Sequence, residues 1–243
     1  MTASQSYGAW YHGGVSQEGA PMTASIPFAI VVAGAMIALS IYLVWSPSQS
    51  STSVPTKVEV PSIRPDDYVL GNPAAPIVII EYSDLDCPFC KQFHVTMKQI
   101  MSTYGATGKV AWVYRHFPIA ELHPNAPLLA EAAECVGGEG GNAAFWKFIE
   151  NVFAEAPGND LFPLDRIDMV IQRSGVTLSN VKECMAKGTH RARVQSQFDE
   201  AIKAGGEGTP HNILVTTSGR TIPVPGSQPY ATLQSLIDTL LTE

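Results

Sequence analysis

Apolar positions along this chain follow three rhythms. The first is a run without a charge, "IPFAIVVAGAMIALSIYLVW", Ile26–Trp45. As a helix rising ~1.5 Å per residue, it is long enough for a ~30 Å hydrocarbon core. Tyr42 and Trp45 near its end suit a membrane interface. The second rhythm is short and β-branched: "PIVIIEYS" (76–83) and "KVAWVYRHFP" (109–118) read as buried strands, with Pro76 tolerated at a strand start. "HNILVTT" (211–217) and "RTIPVPG" (220–226) read as a hairpin about Ser218-Gly219. The third is helical. Phe93, Met97, Ile100 and Met101 share a face between Cys87 and Tyr104, and Leu233, Leu236, Ile237 and Leu240 share one within 229–241. Further helices are predicted near 124–136, 142–154, 163–174, 178–186 and 189–204, with no convincing strand among them. Strand, helix and strand from 76 to 118 make a βαβ unit with a right-handed crossover. The expected architecture is an α/β core interrupted by helices over about 124–206.

These patterns divide the chain. Residues 1–25 lack Lys and Arg and read as a disordered tail; "MTAS" occurs at Met1 and again at Met22, so either methionine can serve as the start. Residues 26–45 read as a single transmembrane anchor. A cleaved signal peptide is the rival, but the basic start and a small-residue cleavage site are missing and the apolar run is long. Residues 46–66, rich in Ser, Thr and Pro, read as a tether, and 67–243 as the globular domain. Lys57 and Arg64 follow the anchor, which by charge alone weakly favours an inside C-terminal region. The cysteine chemistry favours the outside and is given more weight.

Charged residues are 15% of the 243 and the net charge is −7, so nucleic acid is a poor partner. Candidate chemistry lies in "EYSDLDCPFCKQFH", 81–94. Cys87 and Cys90, either side of Pro88-Phe89, end a strand and open a helix. Three uses compete. A structural zinc site takes four ligands, whereas Cys87, Cys90 and His94 supply three. A purely structural bridge across so small a loop stabilises little. Redox exchange fits the placement: the unpaired N–H groups and positive dipole end of a helix lower a thiol's pKa, and the thiolate is the attacking species. Spacing i, i+3 lets the second sulfur close a disulfide. Cys87 at the helix tip is expected to be exposed and attacking, Cys90 shielded and resolving. Far away in sequence, Thr209-Pro210 precedes a strand; by itself it reads as an ordinary trans proline.

The stretches "GNPAAPIVIIEYSDLDCPFCKQFH", "VYRHFPIAELHPNAPLLAEAAEC" and "GTPHNIL" resemble the DsbA-like thiol-disulfide oxidoreductases of the thioredoxin-like superfamily. The resemblance covers about Asp67 to Glu243 and implies a thioredoxin-like fold with an inserted helical domain. It implies Cys87 as nucleophile, Cys90 as resolving thiol, Pro210 as a cis proline beside the sulfurs, and Thr209 offering its backbone to an extended peptide by strand addition. Glu81 matches a family acid that exchanges a proton with the buried sulfur; the alternative is an outward-facing strand residue.

Two departures qualify the match. Phe89 stands where strongly oxidising members carry His, and Asp84 and Asp86 are near, so a less oxidising dithiol is expected. His211 follows the proline, facing either the groove or solvent. Cys135 and Cys184 are either buried free thiols or, as an oxidising compartment favours, a structural disulfide between two inserted helices. His116 and His123 read as structural.

The implied activity is disulfide exchange with unfolded or extended proteins outside the cytoplasm, in the periplasm or at the cell exterior, with reoxidation by a membrane thiol oxidase. No cofactor beyond the Cys87–Cys90 pair is implied and no metal. A reductase or isomerase and a non-catalytic peptide-binding chaperone module are the alternatives.

Overall fold

The computed structural model describes residues 63–156 and 161–243. The strands are β1 (Tyr68–Gly71), β2 (Ile77–Ser83), β3 (Val110–His116), β4 (His211–Thr216) and β5 (Thr221–Pro225). The helices are α1 (Pro88–Ile100), α2 (Ala126–Glu155), α3 (Ile167–Arg173), α4 (Leu178–Lys187), α5 (Arg191–Lys203) and α6 (Tyr230–Leu240). One sheet carries the order β1-β3-β2-β4-β5. Only β2 and β3 pair in parallel, with α1 as their crossover; β1–β3, β2–β4 and β4–β5 are antiparallel.

The central strands are covered on both faces, which is why Ile77–Ile80 and Val110–Tyr114 run apolar without alternation. Alternation sorts their side chains. Ile77 and Ile79 of β2 and Trp112 and Tyr114 of β3 join the larger core with Phe93 and Met97 of α1, Phe148 and Val152 of α2, and Leu233 and Ile237 of α6. Ile80, Tyr82 and Val113 face the other way, onto Ala201 of α5 and Ile213 of β4. Glu81 and Ser83 therefore share the α1 face of the sheet, directly under the cysteine helix.

Four helices, α2 to α5, fill the chain between β3 and β4, as the sequence pattern expects. The helices anticipated at 124–136 and 142–154 form one element bent at Gly141, whose φ of 71° is a left-handed conformation natural to glycine. Close by, the Tyr68 ring lies against Gly137, where any Cβ would collide with it, and stacks on Phe145 at 3.7 Å between centroids. Cys135 on α2 and Cys184 on α4 are joined by a disulfide, with 5.9 Å between their Cα atoms.

One strand escapes the sequence pattern. β1 is four residues of a partly buried edge, too short to show alternation, and pairs antiparallel with β3. The ordered chain also reaches back before Asp67. The Arg64 amide donates to Asp67 Oδ2 at 2.8 Å and its guanidinium to Glu200 Oε2 at 3.0 Å. Fully buried Arg115 completes this clamp, donating to Asp67 Oδ2 at 2.7 Å and to Glu200 Oε1 at 2.6 Å. Among the described residues no helix is long and apolar enough to cross a membrane. The expected tail, the anchor at Ile26–Trp45 and the tether as far as residue 62 lie outside the described residues.

Candidate active site

Cys87 is the N-cap of α1, with extended backbone (φ −87°, ψ 124°), and Pro88 follows in the first turn, where its missing N–H costs nothing. Its carbonyl accepts the first helical bond from the Lys91 amide at 3.1 Å. The Cys87 sulfur stands at the N-terminal end of α1 without a capping hydrogen bond. Its pKa falls from an ordinary 9.0 to about 6: the Cys90 thiol hydrogen-bonds to it, outweighing the cost of burial, and the Thr209 side chain and the Cys90 and Phe89 amides add to the effect. Cys90, fully buried and beside that sulfur, is pushed well above 9.0 by burial and by Cys87. The two thiols are free, and their acidities are driven apart.

The Thr209–Pro210 peptide is cis, and the Cys87 thiol lies 3.6 Å from the Thr209 carbonyl oxygen. That loop corrects one expectation. Cys87 is only 4% exposed, because the sulfur at the helix tip sits under the proline loop rather than in open solvent. The exposed member of the motif is Phe89, at 62%.

Glu81 is fully buried beneath the pair, so the outward-facing alternative does not hold. Trp112 Nε1 donates to its Oε2 at 2.9 Å. Burial raises its pKa from 4.5 to about 7, against the lowering effect of Ser83 and Trp112. His211 does not point to solvent; it borders the groove from a buried position. Its Nε2 donates to the Ala204 carbonyl at 3.1 Å, and burial lowers its pKa. His94 lies one turn beyond Cys90 between the rings of Trp112 and Phe153, at 5.3 and 5.1 Å between centroids, with burial holding its pKa down to about 4.

Asp84 and Asp86 direct their carboxylates to groups of the surrounding loops. Asp84 accepts from the amides of Asp86 (2.8 Å) and Ile119 (2.9 Å) and faces His123 Nδ1 at 2.9 Å. Asp86 accepts from the Phe162 amide at 2.6 Å. These two acids and His123 hold the loops around the motif, a role that spacing alone does not reveal. The D-x-D pattern before the motif was the available signal.

A cleft of about 520 Å³ runs along the cis-proline loop, lined by Thr209, Pro210, His211, Gly205, Pro223 and Pro225; neither cysteine lines it. A larger one, about 790 Å³, lies among α2, α4 and α5 and contains none of the sulfur chemistry.

The thioredoxin family matches residues 64–239, spanning both cysteines, the buried acid and the cis proline. The chain belongs to the thioredoxin family. Its fold is the DsbA type. The crystal structure of DsbA2 from Pseudomonas aeruginosa superimposes with a TM-score of 0.63 at 28% identity, over 73% of this chain and 96% of that one. α-DsbA1 of Wolbachia pipientis (TM-score 0.65, 23% identity, 76% and 96% covered) and oxidised BdbD of Bacillus subtilis (0.64, 22%, 73% and 94%) share the fold. In sequence, this family member is 30% identical over 149 residues to a Salinispora arenicola protein named the Na(+)/H(+) antiporter NhaA 1, 61% of this chain and 22% of that protein. It is 34% identical over 83 residues to a Rickettsia typhi protein named a protein-disulfide oxidoreductase, 34% of this chain and 30% of that protein. The chain thus spans less than a quarter of the length of the first curated relatives it matches.

Proposed function

We propose that this chain is a protein thiol-disulfide oxidoreductase that works through Cys87-Pro88-Phe89-Cys90, accepting electrons from extended proteins. The observation that carries this reading is the placement of two free thiols: Cys87 at a helix tip 3.6 Å from the Thr209 carbonyl of a cis-proline loop, and Cys90 fully buried behind it, a placement that lowers the first thiol's pKa and raises the second's. A stabilised thiolate favours the reduced enzyme, so its disulfide readily takes electrons from substrates.

In the oxidised enzyme a substrate thiolate attacks the Cys87 sulfur and the Cys87–Cys90 bond breaks. Cys90 leaves as a thiolate and is protonated, with Glu81 as the proton source. A second substrate thiolate then attacks the substrate sulfur of the mixed disulfide. The substrate disulfide forms and Cys87 departs as a thiolate. An extended peptide lies along the Thr209–Pro210 loop by strand addition, with His211 shaping the cleft from its buried position. The two sulfurs hold the redox equivalents without a further cofactor. The reduced pair passes its electrons to a membrane thiol oxidase.

The domain works outside the cytoplasm, tethered by the apolar segment at Ile26–Trp45. A Cys135–Cys184 disulfide is suited to an oxidising compartment.

Incubation of the oxidised protein with a reduced, unfolded test polypeptide is expected to form disulfides in it, and Cys90→Ser to trap a mixed disulfide at Cys87. No exchange and no trapped adduct would overturn the proposal. A reduction potential of about −120 mV supports net oxidation, and one of about −270 mV a reductase. Function kept by a Cys87→Ser, Cys90→Ser double variant would favour a binding module.

A further inference from the structure

Behind Cys90 the sheet buries more polar chemistry than two exchanging sulfurs require. Alternation and register bring it together: Glu81 and Ser83 of β2 share a face, and the parallel partner β3 sets Tyr114 beside Glu81. Cys90, Glu81, Ser83 and Tyr114 are each no more than 1% exposed. Polar atoms so deep are ordinarily paired. Yet Glu81 Oε1, Ser83 Oγ and Tyr114 Oη make no hydrogen bond of good geometry. Glu81 Oε2 is taken by Trp112, and the Cys90 sulfur accepts from the Asp84 amide at 3.4 Å.

Ser83 is the common neighbour of the other three. It lies two residues beyond Glu81 on the same face of β2, beside the Tyr114 strand, and directly before Asp84, whose amide holds the Cys90 sulfur at 3.4 Å; in keeping with that placement its hydroxyl lowers the pKa of all three. A serine hydroxyl can give one proton while accepting another. A structural serine in a strand core would spend its hydroxyl on a fixed partner; this one stands unpaired between an acid and a thiol.

We propose that Ser83 passes the proton between the Glu81 carboxyl and the Cys90 sulfur. This rests on the disulfide-exchange reading given above. When a substrate thiolate opens the Cys87–Cys90 bond, the Cys90 thiolate takes the Ser83 proton and Ser83 takes the proton of the Glu81 carboxylic acid. Cys90 ends as a thiol, Ser83 is unchanged and Glu81 is a carboxylate. In the reverse direction Cys90 gives its proton to Ser83 as Ser83 protonates Glu81. The Cys90 thiolate then displaces the partner from Cys87, forming the Cys87–Cys90 bond and releasing the partner as a thiolate. Tyr114 orients the hydroxyl and loses no proton. In this relay Ser83 exchanges its proton directly with a reacting sulfur, so its part is catalytic.

Oxidised glutathione separates the steps with the full chain. Attack by Cys87 forms a mixed disulfide and releases one glutathione in a first phase, and displacement by Cys90 releases the other in a second. Only the second needs the Cys90 proton to leave. Ser83→Ala is expected to slow the second phase roughly tenfold or more while leaving the first unchanged, and Ser83→Thr to restore it. In mixtures of light and heavy water the wild-type second phase should depend on deuterium content along a curve, the sign of two protons in flight, and Ser83→Ala should lose that curvature. An unchanged second phase in Ser83→Ala, or an equal slowing of both phases, would overturn the relay and leave the exchange reading standing. Should Ser83→Ala not fold, a straight-line deuterium dependence in the wild type and Ser83→Thr would overturn it. A wild type that shows neither phase contradicts the exchange reading itself and the relay with it.

Discussion

Two cysteine pairs occupy this domain, and the same element does opposite work in each. Cys135 and Cys184 stand 49 residues apart in the middle of two helices, bonded to each other. Cys87 and Cys90 stand three apart at the start of one helix, both free. The first pair closes a long loop of chain, so its bond stabilises the fold chiefly by restricting the unfolded state. The second closes almost none, and what matters is which sulfur carries charge. Peptide N–H groups, the Cys90 thiol and Thr209 stabilise an anion at Cys87, while burial denies one to Cys90. Placement relative to helix ends, more than sulfur chemistry, separates the reactive pair from the structural one.

Replacing the pairs in turn breaks the comparison most directly. Cys87→Ser is expected to abolish disulfide exchange with a test polypeptide, measured by turnover, without unfolding the domain. Removing the other pair, Cys135→Ala with Cys184→Ala, should lower stability by about 2–4 kcal/mol in denaturant titrations and leave the exchange rate within about twofold. Loss of activity in the second variant with stability intact would erase the distinction.

Much of this arrangement could be read before the fold was known, because it depends on local patterns. The apolar runs of β2 and β3, the helical face of α1 and the cysteines at the junction all lie within one contiguous βαβ stretch. What could not be read depends on distant segments. β1 is too short to show a period, and the Arg64–Asp67–Arg115–Glu200 clamp joins three separated stretches. Cys87 was expected to be exposed because a helix tip is open; a loop some 120 residues later covers it. His211 turns inward for a more local reason: the chain between α5 and β4 folds back so that the Ala204 carbonyl, seven residues earlier, accepts from its ring. Ser83 drew no notice, its role arising only from three neighbours on different elements.

Glu81 sharpens the comparison further, since the structural pair has no counterpart to it. Its folded pKa of about 7 exceeds the ordinary 4.5, so between these values the folded protein holds a proton that the unfolded chain has lost. The Glu81 contribution to stability should therefore fall as pH rises from about 4.5 to 7 and stay level above, a change on the order of 3 kcal/mol, opposed in the reduced protein from about pH 6 upward by the Cys87 contribution. Glu81→Gln is expected to flatten that slope in unfolding curves taken across the range; an unaltered slope would assign it to another group.

The smallest effect concerns Phe89, which is 62% exposed beside the reactive sulfur and contributes only its backbone N–H to the anion. Phe89→His adds a cationic donor at that position. It should lower the Cys87 pKa by about one unit and make the dithiol more oxidising, as read by equilibration with glutathione. No shift in either quantity would mean that the backbone already sets the acidity.

The most direct test is the ultraviolet absorbance of the thiolate, followed against pH in the reduced protein and in Cys90→Ala. For Cys87, the depressed pKa means that stabilisation of the reduced fold is complete above pH 9.0 and lost as pH falls through about 6. In the reduced protein a single thiolate should appear with a midpoint near 6, while Cys90 stays protonated far above it. Cys90→Ala should move that midpoint upward, because the Cys90 thiol is the largest contributor. A midpoint near 9 in the reduced protein, or two thiols titrating together, would contradict the account.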